Sequence, residues 1–125
     1  MATDNGFIEY LRELLEPLDG VTFKRMFGSY GVFRHGLMFA LVSDDTLYFK
    51  VDEQNKAEFI TRDLEPFTYL KADKPMPMAY YRAPEETLDN SDDMCEWAEK
   101  AYQAALRAQK LKKPVKARRK RKAQI

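Results

Sequence analysis

One histidine, one cysteine and nine clustered cations are the residues of this chain best placed to do chemistry or bind charge. A catalytic nucleophile needs a base and an orienting group that meet it in space. His35 stands beside Gly36 between two apolar runs and reads as the exposed residue of a hairpin turn. Cys95 sits near the start of a helical pattern, where the helix dipole could lower its pKa. Its neighbours Asp92, Asp93 and Glu96 oppose a thiolate, so it reads as a half-buried small apolar residue. Asp89, Asp92, Asp93 and Glu96 suggest a divalent cation, but the spacing of a calcium loop and the HExxH and CxxC patterns are absent. A solvated helix start accounts for them. Gly28-Ser29-Tyr30-Gly31 matches the GxxG of a KH domain, yet both flanks read as strands, whereas that loop joins helices. No GxGxxG or GxxxxGK(S/T) phosphate loop occurs. The segment reads as a bulge or turn, with Arg25 as a nearby surface anchor. These residues predict no catalytic centre, no cofactor and no metal, and therefore a non-enzymatic chain.

Two features bear on binding. Tyr48, Phe49, Tyr69, Tyr80 and Tyr81 fall on expected strands and could stack on bases. The cations are not expected to interleave with them on one face, and the body is acidic, which favours ordinary sheet packing. The second feature is the C-terminal run Lys110, Lys112, Lys113, Lys116, Arg118, Arg119, Lys120, Arg121 and Lys122. Residues 1–109 hold 12 Lys+Arg against all 20 Asp+Glu, a balance of −8, while residues 110–125 carry +9. The net charge of +1 hides that split. A basic arm of this kind grips phosphates without reading sequence, and its affinity falls with salt. DNA, RNA and anionic lipid all fit the pattern, as does a solubilising tail.

The elements that must position these residues are legible from periodicity. A first helix is expected from Asp4 or Asn5 to Leu18, burying Phe7, Leu11, Leu14, Leu15 and Leu18, with a kink or boundary at Pro17. Lys24 to Asp52 reads as three or four antiparallel strands turning at His35-Gly36 and Asp44-Asp45. Phe33, Leu37, Phe39, Leu41, Leu47, Phe49 and Val51 form the expected inward face. A second helix is expected over Glu53–Asp63, with Ala57, Phe59 and Ile60 inward, followed by strands at Phe67–Lys71 and Met78–Ala83 joined by a proline-stiffened loop. The last helix starts near Ser91 and carries a stripe of Met94, Trp97, Ala98, Ala101, Ala105 and Ala108, with Pro114 ending it. The order α-β-β-β-(β)-α-β-β-α makes an α+β domain on an antiparallel sheet. The longest apolar stretch, Leu37 to Val42, falls short of the ~20 residues that span a bilayer. The N-terminus lacks the basic and apolar regions of a signal peptide, and the lone cysteine suits a reducing cytoplasm.

Arg25-Met26-Phe27-Gly28, Tyr30-Gly31-Val32-Phe33, Gly36-Leu37-Met38-Phe39-Ala40 and Leu47-Tyr48-Phe49-Lys50-Val51-Asp52 occur in that order, followed by Pro66-Phe67-Thr68-Tyr69 and Met78-Ala79-Tyr80-Tyr81. Together they resemble the N-terminal domain of the TfoX/Sxy family of competence regulators, over roughly residues 5 to 108. Ser29 stands where many relatives have a second glycine. The resemblance implies a fold similar to secretion-chaperone-like domains. It gives Arg25, Met26, Phe27, Gly28, Gly31, Phe33, Gly36, Met38 and Phe39 a structural role as its signature. It further implies a transcription-related protein partner and action alongside the cyclic-AMP receptor protein; the alternative is a stand-alone, dimeric protein-interaction module with no nucleic-acid role, for which the small-residue stripe of the last helix offers a contact surface. Full-length relatives carry a second domain with helix-hairpin-helix character. The expected organisation here is a stand-alone domain over 1–109 and a basic, disordered tail over 110–125.

Overall fold

The computed structural model describes residues 5–26, 29–71 and 74–124, with side chains over 6–26, 29–68 and 79–111. The first helix, α1 (Asn5–Leu14), ends earlier than its apolar stripe suggests. Pro17 has no N–H to give the Glu13 carbonyl, and it disfavours helical backbone at Glu16. After Leu15 N–H bonds Leu11 O at 3.0 Å the chain tightens, with Glu16 N–H on Glu13 O and Leu18 N–H on Leu15 O. Leu11, Leu14 and Leu15 are buried nonetheless.

Six antiparallel strands follow: β1 (Val21–Met26), β2 (Ser29–Arg34), β3 (Leu37–Ser43), β4 (Thr46–Lys50), β5 (Pro66–Lys71) and β6 (Lys74–Arg82). They form one sheet in the order β1-β2-β3-β4-β6-β5. Both expected two-residue turns are present. His35 and Gly36 have φ of 51° and 81°, and Asp44 and Asp45 have 53° and 56°, the paired positive values of the tight hairpin turn that matches strand twist.

The burial phase of β3 differs from simple alternation. Val32 pairs with Ala40 while Phe33 pairs with Met38, which leaves Phe39 as an extra residue in a β-bulge. Phe39, Ala40 and Val42 then all join the core, with Val32 opposite them. Leu37 packs against the core's margin, but Phe33 and Leu41 lie on the other face, contrary to the expected inward set, although Leu41 is buried there. On β4, Leu47 and Phe49 are buried as expected, as is Val51 beyond it.

The connection after β4 is shorter in helix than expected. Asp52 Oδ1 accepts the Gln54 and Asn55 amides, and Asn55 Oδ1 accepts the Asp52 amide at 2.7 Å. This closed turn uses up Glu53–Asn55, so α2 is only Lys56–Thr61. Phe59 alone of that helix is buried; Ala57 is exposed and Ile60 is 53% exposed. β6 starts at Lys74 and takes in Pro75 and Pro77, which were expected in a loop. Only β5 neighbours that half of the strand, since β4 pairs with β6 solely over Tyr80–Arg82. The prolines thus occupy an edge, where a missing donor is tolerated.

A 3-10 turn (Glu85–Leu88), unforeseen from sequence, leads into α3 (Ser91–Gln124). Asn90 caps α3, its Oδ1 accepting the Asp93 amide at 2.8 Å while its Nδ2 donates to the Asp93 carboxylate. The helical backbone runs on past Pro114 rather than ending there. Met94, Trp97, Ala98, Ala101 and Ala105 are buried against β3 and β4, and Ala104 is buried too. All three helices feed one core cluster on one face of the sheet. Among the described residues no helix is long and apolar enough to cross a membrane.

Candidate functional site

His35 and Cys95 do not meet. His35 is exposed in its turn, donates its N–H to Gly20 O at 2.9 Å and sets its ring edge-on to Tyr102. Cys95 lies seven residues before Tyr102, about 10 Å along the α3 axis. It is half-buried, its Sγ on the Leu14 carbonyl at 3.5 Å. Of the four acids, Asp93 belongs to the helix cap and Glu96 faces Lys100 at 3.8 Å. Gly31 of the GxxG segment sits on a strand, as does Ser29, while Gly28 lies outside the described residues.

The signature residues separate by role. A Cβ on Gly31 would come within 2.7 Å of the Met26 sulfur and 2.8 Å of the Phe33 ring, so this glycine lets those two side chains close over it. Met38 pairs with Phe33 on the same face, Gly36 makes the turn and Phe39 is core. Arg25 is exposed with its guanidinium 5.9 Å from the Tyr30 ring. Phe27, like Gly28, lies outside the described residues.

The sheet face away from the helices holds what sequence reading missed. The registers link Lys24, Gly31, Leu41, Tyr48 and Arg82 into one cross-strand row over five strands. At ~4.8 Å per strand its two cations stand roughly 19 Å apart. Thr22, Phe33 and Met38 flank this row, as do Lys50 and Tyr80. Tyr48 meets Phe67 edge-on at 5.0 Å, and the Lys50 ammonium lies 5.3 Å from the Tyr80 ring centre. Burial pushes the Tyr80 phenol up to about 12; burial also raises Tyr48, helped by the Glu65 charge. Phe49 and Tyr81 turn to the helix side instead, Tyr81 against Phe59. One signal was available in sequence: among the described residues no strand contains an acid, although the chain has 20, and those strands hold seven Lys and Arg.

The other binding feature, the cationic run, is carried by α3, and two ion-pair groups fasten that helix to the sheet. Arg34 bonds Glu99 at 2.6 Å, lies 4.9 Å from the Tyr102 ring centre and donates to Asp19 O. Hydrogen bonds from Gln103 and Arg34 hold Glu99 below the usual carboxylate range. Arg107 forks onto both Asp52 oxygens, and that hydrogen bonding is the main cause of Asp52's lowered pKa. Lys110 is exposed one turn further on. Lys112, Lys113, Lys116, Arg118, Arg119, Lys120, Arg121 and Lys122 follow on the same helical backbone, their side chains outside the described set.

Comparison with known proteins agrees with this architecture. The TfoX N-terminal domain family matches residues 13–105. Protein Sxy of Escherichia coli (strain K12) is 28% identical over 96 residues, which cover 77% of this chain and 46% of that protein. The chain thus spans less than half the length of that relative. With the family match extending from α1 to the buried end of α3, the chain belongs to the TfoX N-terminal domain family.

Proposed function

We propose that the chain is a non-enzymatic, competence-regulator-like protein that acts in the cytoplasm through a transcription-related protein partner. The basic end of α3 supplies loose, sequence-independent affinity for nucleic acid. The observation that carries this reading is the family match over residues 13–105. The likeness to Sxy supports it, as does a +9 segment continuous with a helix fastened at Asp52, just beyond β4. Self-association through the small-residue stripe of α3 draws no support from the packing, because Ala98, Ala101 and Ala105 are covered by the chain's own sheet.

Transcript profiling tests the proposal. A strain lacking the chain should change expression of a defined gene set, and the full chain should restore it. Full-length protein with its nine tail cations replaced by Gln should restore it only in part. Unchanged transcripts in the deletion strain would rule the regulatory reading out.

A further inference from the structure

The tail does not account for the sheet face away from the helices. Among the described residues, the strand positions on that face present Phe33, Tyr48 and Phe67 together with Lys24, Lys50 and Arg82, and no acid. Phe33, Tyr48 and Phe67 are half-buried rather than covered, and Lys24 and Arg82 are exposed. Contrary to the expectation that rings and cations do not interleave on one face, the register brings them together there.

We propose that this face is a platform for single-stranded nucleic acid. Bases would stack on Tyr48, Phe67 and Phe33, and phosphates would be held by Lys24 and Arg82. Antiparallel sheets with aromatic rings set in this way stack two or three bases, and such stacking tolerates sequence because every base has a π-face. Charge selects the occupant. Two copies meeting face to face would bring like charges together, so the ligand is anionic. An acidic helix would need an apolar groove, and Met26 and Phe33 close the gap that Gly31 would otherwise leave.

The charge distribution also sets the direction of the strand. Asp44 and Asp45 form the β3–β4 turn, and Arg82 lines a cavity with Asp63, Glu65, Glu85 and Glu86, which puts negative charge at that end of the row. Lys50 marks the opposite end. There a cleft of about 210 Å³ brings Met38, Lys50 and Tyr80 beside Ala105, Ala108 and Gln109 of α3. The cations from Lys110 onward begin at this margin. A bound strand would therefore run from the row of rings toward the tail.

Fluorescence anisotropy with a labelled oligo-dT and a labelled duplex of equal length tests the platform on full-length protein. Tyr48→Leu with Phe67→Leu keeps apolar volume but removes the rings, and should weaken single-strand binding at least about tenfold while leaving duplex binding unchanged. Lys24→Glu with Arg82→Glu alters only exposed side chains and should give a similar single-strand loss with an unchanged melting temperature. The chain with its nine tail cations replaced by Gln should lose duplex binding and keep saturable oligo-dT binding. Wild-type oligo-dT affinity in both sheet variants would overturn the platform, whatever the tail does. So would displacement of oligo-dT from the face by an Asp/Glu-rich peptide at equal concentration, which would assign the face to an acidic protein segment. Duplex affinity that ignores the tail would count against the proposed function alone.

Discussion

Gly20 has φ of +77°, and a Cβ there would come within 2.5 Å of the His35 ring. Gly20→Ala therefore meets two separate penalties, backbone strain and a clash, and should cost about 1–3 kcal/mol in urea unfolding. Adding His35→Ala removes the clash but not the strain, so the double variant should recover part of the loss; full recovery would show that the backbone term is negligible. Asp52 offers a second test at this scale. Its folded pKa lies below the unfolded value because Arg107 and two backbone amides bond the carboxylate. The resulting stability is present above the unfolded pKa of about 4 and is lost as pH falls through the folded value. Glu99 adds a shift in the same direction. Arg107→Gln should lower the melting temperature at neutral pH and make the acid side of the pH–stability curve shallower. Parallel curves for the two proteins would show that the pair does not couple to folding.

Among the helices, α2 is the one whose inner face sequence misjudged. Its apolar residues Ala57, Phe59 and Ile60 look equivalent along the chain, but six residues present too little surface to bury all three. Phe59 takes the inward position, edge-on to Trp97 at 5.3 Å and tilted against Tyr81 at 5.9 Å. Phe59→Ala should cost about 3–5 kcal/mol, whereas Ile60→Gln should stay within about 0.5 kcal/mol of wild type. Chemical denaturation of both variants checks the assignment, and equal losses would contradict it. Local signals served well where structure is local: the two tight hairpin turns, the start of α3 and the stop near Pro17 are written in a few adjacent residues. The bulge at Phe39 is not, because a period-two reading assigns one phase to the whole strand and cannot show where a partner strand shifts it. The prolines of β6 likewise became strand residues through the edge they occupy, which depends on strand order.

Over the whole molecule, charge is divided in three. Among the described residues the helices and connections carry the acids, the strands carry cations without acids, and the end of α3 carries nine more cations. The tail was legible because like charges stand side by side in sequence. The sheet cations were not, since Lys24, Lys50 and Arg82 are far apart along the chain and only the registers bring them to one face. Fold class and element order could be read from apolar periodicity and turn residues, and the family from its glycines and aromatics.

The most direct test of the proposed nucleic-acid role is the salt dependence of duplex DNA affinity. Log affinity should fall linearly with log salt, with a slope of about −0.9 for each phosphate neutralised. The account predicts a slope of several such units for the full chain, collapsing when the nine tail cations are replaced by Gln. A slope near zero in the native protein, or an equal slope in both, would contradict it.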